Sequence, residues 1–86
     1  MHKIQIIENI CYTELVYGRI NKKLKTNFTK SEIEKMILKI LNDTEEKYYQ
    51  KIGKNFYVSN SENNIKITVN SNTYRVITAD RIKNKS

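Results

Sequence analysis

The chain has 86 residues, 16 Lys or Arg against nine Asp or Glu, a net charge of +7, no Pro and only two Gly. That length sets one domain with one modest core, and the scarcity of Pro and Gly argues against a loop-rich or disordered chain. The one cysteine, Cys11, excludes an internal disulfide framework and suits a reducing cytoplasm. No apolar run approaches the roughly 18 residues of a membrane helix, and Gln5, Glu8 and Asn9 interrupt any signal-peptide core. The expected location is therefore the cytoplasm, with no membrane segment.

His2 to Cys11 carries Ile4, Ile6, Ile7 and Ile10, the spacing of a short amphipathic helix, with a strand as the alternative. His2 is the one histidine and has no cluster of Cys, Asp or Glu near it in sequence, so no metal site and no cofactor are expected. A second helix is predicted over about 13–25. Thr13 is its candidate N-cap and Glu14 complements its positive start. Leu15, Val16, Ile20 and Leu24 form the apolar stripe, with Tyr12 at its edge. Lys22, Lys23 and Lys25 suit the negative end of the same helix. Gly18 lies in the helix interior, where glycine costs about 1 kcal/mol against alanine.

Thr26 to Phe28 reads as a linker. Thr29-Lys-Ser-Glu32 has the pattern of a capping box, and Ile33, Met36, Ile37, Ile40 and Leu41 follow at the spacing of a buried stripe. This predicts a third helix over about 30–42. Glu45 to Gln50 is either another helical turn or the approach to a strand. Gly53 marks a turn or a bulge; without a Gly-Lys-Ser/Thr ending it is not a phosphate loop.

Residues 55–60, 65–70 and 73–80 alternate as three strands, joined by Ser61–Asn64 and by a two-residue Ser71-Asn72 loop. Pairing Asn60 with Ile65 and Asn70 with Thr73 gathers Phe56, Val58, Ile65, Ile67, Val69, Tyr74 and Val76 on one face. A slip by one residue scatters them. The other face then carries Asn55, Tyr57, Ser59, Lys66, Thr68, Asn70, Arg75 and Ile77, with Tyr57, Thr68 and Arg75 in one cross-strand row. The expected architecture is α+β: two or three N-terminal helices packed on one face of a three- to four-stranded antiparallel β-meander. The tail from Arg81 to Ser86 is basic and is expected to fray.

Several blocks carry a family likeness. Tyr12-Thr-Glu-Leu with Arg19-Ile-Asn-Lys-Lys-Leu24, Gly53-Lys-Asn-Phe-Tyr-Val58, Ile67-Thr-Val-Asn-Ser71 and Tyr74-Arg-Val-Ile-Thr-Ala79 resemble a bacterial family known as domain of unknown function 3781. In that family the aromatic after Asn is often Trp and the Ala is often followed by His; Phe56 and Asp80 stand at those places. More loosely, helices followed by a meander with a basic polar face look like the barnase–colicin D–RelE group of small ribonucleases, a toxin-like class. That likeness implies action on RNA at the sheet face and carries over no active-site residue.

The charge points the same way. Lys, Asn and Ile make up 37 of the residues, so A/T-rich codons supply a compositional origin for many lysines. A basic surface otherwise suits nucleic acid, an anionic membrane or an acidic protein. The favoured expectation is a partner of RNA or other single-stranded nucleic acid, contacted by Lys51, Lys54, Lys66, Thr68 and Arg81. If the chain cleaves RNA without metal, Tyr57 or Asp80 would move protons and Arg75 would steady the phosphorane. The alternative is a non-catalytic inhibitor or adaptor from a mobile element that binds an acidic protein, with the last strand offering an edge. A homodimer through Tyr57 and Ile77 is a further possibility.

Overall fold

A computed structural model describes residues 2–82 of the chain; Lys83 and Lys85 of the basic tail lie outside the described residues. Three helices come first: α1 (His2–Asn9), α2 (Val16–Leu24) and α3 (Lys30–Asp43). A 3-10 turn at Glu46–Tyr48 then leads into four strands, β1 (Tyr49–Ile52), β2 (Asn55–Asn60), β3 (Ile65–Asn70) and β4 (Val76–Arg81). The strands form one antiparallel sheet in the order β1-β2-β3-β4, so the arrangement is α+β with a meander.

The first ten residues are helical because of what they bury. Ile6 is buried while Ile7 and Ile10 pack against the core, a single helical face that leaves Ile4 in solvent. The helix has a cap from far along the chain. The Glu46 carboxylate accepts the His2 N–H at 3.0 Å and the Lys3 N–H at 3.3 Å, placing an anion on the positive end of α1.

α2 begins three residues later than Thr13. Cys11 explains the delay: its N–H donates to Tyr74 O at 2.9 Å, and its carbonyl accepts from Val76 N at 2.9 Å. The chain stays extended while it serves the sheet edge, and only then coils. Leu15 precedes the first helical residue without a side-chain cap and is 80% exposed, outside the stripe of Val16, Ile20 and Leu24. α2 ends on Lys25 in the left-handed conformation (φ 58°), and Asn21 clamps the linker that follows, donating to Phe28 O and accepting from Thr26 Oγ1 and the Phe28 N–H. α3 starts with the expected capping box between Thr29 and Glu32, a device worth about 1 kcal/mol.

Gly53 is a turn residue. β1 and β2 are joined by Gly53-Lys54 between the paired residues Ile52 and Asn55, with Gly53 at φ 60°; glycine first in a two-residue hairpin is the II′ pattern. The β2–β3 pairing is the expected one, Asn60 opposite Ile65, and Asn64 takes a left-handed φ of 58° in the loop.

β4 departs from expectation. The loop after Asn70 is longer than two residues: the Asn70 side chain accepts from the Asn72 and Thr73 N–H groups, Tyr74 N–H donates to Asn70 O, and Tyr74 sits at φ 59°. Val69 pairs with Val76, yet Thr68 pairs with Thr78, so Ile77 is the extra residue of a β-bulge. A bulge shifts the alternation by one. Ala79 therefore falls on the core face and Asp80 on the outer one, the reverse of strict alternation.

The helices pack against the face that carries Phe56, Val58, Ile67, Val69, Val76 and Ala79, and these with Ile20, Ile33, Ile37 and Leu41 form the core. α2 lies along β4. With Cys11 on Val76 N and the Arg19 guanidinium donating to Ile77 O at 3.2 Å, the outer edge of β4 is occupied rather than offered to a partner strand. The uncovered edge of the sheet is β1.

Candidate nucleic-acid interface

The sheet face turned away from the core is polar and is not covered by the three helices. One cross-strand row on it reads Gln50, Tyr57, Thr68 and Thr78; the next reads Ser59, Lys66 and Asp80. Tyr57 is half-buried. Its hydroxyl accepts from the Asn55 side chain at 3.4 Å, and the Lys66 ammonium stands 5.7 Å from the centre of its ring. A cation over an aromatic face at an exposed site is worth about 0.5–1 kcal/mol. It holds Lys66 over the ring, so an aromatic surface and a positive charge stand together on this face.

The expected site residues separate into those this face collects and those it does not. Tyr57, Lys66, Thr68 and Asp80 are on it, but Thr68 is buried, which removes it as a contact. Arg75 is not in the Tyr57 row, as Thr78 takes that place; the longer loop and the bulge leave Arg75 exposed at the start of β4, bridged to Cys11. Asp80 faces outward but is engaged, 3.1 Å from the Lys23 ammonium. Lys51 pairs with Phe56 and so shares the helix-side face, while Lys54 sits in the β1–β2 turn; both are exposed. The Arg81 guanidinium donates to Leu24 O at 3.4 Å, a cation at the negative end of α2.

Three basic residues join the site without having been expected there. α2 turns Arg19, Lys22 and Lys23 toward β4, where with Gly18, Ile77 and Thr78 they line an open groove of about 770 Å³. Their spacing contains the signal: Gly18 and Lys22, and Arg19 and Lys23, are four apart and off the buried stripe. Lys22 and Lys23, read as dipole partners alone, give no hint of a shared groove, and Arg19 has no part in that reading. The floor is unusual in one atom, for Thr78 Oγ1 is shielded from solvent and has no hydrogen-bond partner among the described residues. The groove continues through Lys23 into a second depression lined by Ser59, Lys66, Asp80 and Arg81, and Ser59 and Lys66 also border the hollow beside Tyr57. Among the described residues, no three His, Cys, Asp or Glu side chains converge as metal ligands, and no helix is long and apolar enough to cross a membrane.

Fold and face together define a small α+β protein with a basic, aromatic-bearing open sheet face. Residues 4–80 match the family described as "Protein of unknown function (DUF3781)", and the chain belongs to that family. No curated protein and no solved structure matches the chain. None of these comparisons shows the likeness to small ribonucleases.

Proposed function

We propose that the chain binds single-stranded nucleic acid, RNA before DNA, on the outer sheet face, and does so in the cytoplasm. The observation that carries the reading is the Tyr57–Lys66 pair on the outer sheet face: a half-buried aromatic ring with a cation standing over it. Single-strand binders use this combination, stacking bases on aromatic rings while cations follow the phosphates, and each stacked base is worth about 1–3 kcal/mol. Ser59 supplies a neutral polar neighbour on the same face, and Arg81 a further cation at its end, whereas Thr68 is buried and offers no contact.

Catalysis is outside the proposal. A cleavage step needs an acid, a base and a cation converging on one phosphate. Arg75 is displaced from the Tyr57 row, and the Asp80 carboxylate is held by Lys23. Binding needs only the face.

The test is a gel assay with labelled RNA and single-stranded DNA in chelator, at low and high salt. Retardation of RNA that weakens with salt and is lost in Tyr57→Ala is the expected result. Cleavage of the RNA would replace the binding reading with a nuclease. Absence of retardation at low salt would overturn it and shift attention to an acidic protein partner.

A further inference from the structure

Gly18 is costly where it stands. An interior glycine lowers helix stability by about 1 kcal/mol relative to alanine. A fold accepts that where the backbone needs a positive φ, or where a neighbour packs on the bare backbone. Neither applies: Gly18 is not among the residues with positive φ, and a Cβ built on it would meet no atom within 4 Å. What the missing side chain leaves open is the groove between α2 and β4.

The walls of that groove state what would fill it. Lys22 has no ion pair among the described residues, and Arg19 spends one N–H on Ile77 O, leaving other donors of its guanidinium. Lys23 stands at the junction with the Lys66 depression. Lys23 is already paired with Asp80, so Arg19 and Lys22 are the cations left to select an anion. Ile77, half-buried in the bulge, and the bare Gly18 backbone give a small apolar surface against which a flat ring can lie. A nucleotide offers both a phosphate and such a ring, and the track leading in begins at Tyr57. From β2 to β4 is two strand spacings, about 10 Å, so a strand of about four nucleotides reaches from Tyr57 to the groove.

We infer that the α2–β4 groove is the second half of the binding site. A single strand stacked on Tyr57 runs past Lys66 and Lys23 and places a nucleotide against Gly18 and Ile77, with its phosphate held by Arg19 and Lys22. The inference rests on the sheet-face reading and adds to it a direction and an end.

The test fills the groove without weakening the helix. Methionine is a good helix former, so Gly18→Met is expected to melt no lower than the wild type. Its affinity for an oligouridylate of about twelve nucleotides should fall about tenfold or more, while that for a dinucleotide confined to the Tyr57 face stays the same. Tyr57→Ala should weaken both. Unchanged affinity of Gly18→Met for the longer strand would overturn the groove and leave the sheet face standing. If the wild type retains neither oligomer, the sheet-face reading falls and the groove with it. Should Gly18→Met melt lower, titration of the wild type with the longer oligomer decides: movement of the Gly18 and Lys22 amide signals supports the groove, and stationary signals overturn it.

Discussion

Asn60 shows how much one buried polar side chain can hold together. It is 4% exposed at the end of β2. Its amide donates to Thr44 Oγ1 at 2.9 Å, and Thr44 Oγ1 in turn donates to Ile40 O at 2.6 Å. Its carbonyl oxygen accepts from the Asn63 N–H at 2.8 Å. One side chain thus ties the end of α3 to the β2–β3 turn. Removing one partner from a buried network leaves the others unsatisfied, at about 1–3 kcal/mol per group. Asn60→Ala should therefore lower stability by about 2 kcal/mol in urea denaturation; a loss within error of zero would show that the network contributes nothing. Thr78 is the opposite case. Its shielded hydroxyl has no described partner, and replacing such a group by an apolar one of the same shape is neutral or stabilising. Thr78→Val is expected to melt at or above the wild-type temperature. A clear drop would mean that the hydroxyl has a partner after all.

At the scale of elements, α2 and α3 are joined by a bond that depends on pH. The Tyr17 hydroxyl donates to Glu34 Oε2 at 2.6 Å. That bond first, then burial and then the charge of Glu34 raise the Tyr17 phenol from its ordinary 10.0 to about 12. The phenol is protonated in both folded and unfolded chains below pH 10, where the bond's contribution to stability is complete. That contribution is lost as pH rises from 10 through about 12. Glu34→Gln removes the charge, so the Tyr17 ring signals should titrate nearer 10; an unchanged midpoint would show that Glu34 is not the cause. Neither partner was legible in the sequence, because the contact needs the packing of two helices. What was legible had a strict period. The alternation of 55–60 and 65–70 gave their pairing residue for residue, and Thr29 with Glu32 marked the start of α3. β4 was misread because Ile77 looks like any other strand residue: a bulge leaves no mark in an alternating β-branched run. The longer loop after Asn70 moved Arg75 off the Tyr57 row, and the bulge brought Thr78 and Asp80 onto the outer face. The outer-face positions were therefore legible in β2 and β3 and illegible in β4, where register depends on the loop and that one extra residue. The start of α2 was misplaced for a similar reason, since Cys11 pairs with a strand more than sixty residues later in the chain.

Across the whole molecule the charge is uneven. Residues 1–50 carry nine Lys or Arg against seven acids, a net +2, whereas residues 51–86 carry seven against Glu62 and Asp80, a net +5. A bias toward A/T-rich codons supplies lysines, but it does not explain why acids are scarce in the sheet half. Within the helical half Lys30 pairs with Glu14 and Lys39 with Asp43. If the field of the sheet half steers a polyanion, position should matter and net charge alone should not. Single strands release counterions such that log affinity falls against log salt with a slope of about 0.7 per phosphate neutralised. Lys66→Gln should then lower the magnitude of that slope by about 0.7 and weaken binding to every sequence alike. Lys35→Gln, on the exposed flank of α3, removes the same unit of charge and should leave the slope as it was. Equal losses from the two substitutions would mean that the chain attracts RNA only as a diffuse cation, and the outer face would have no claim to be a site.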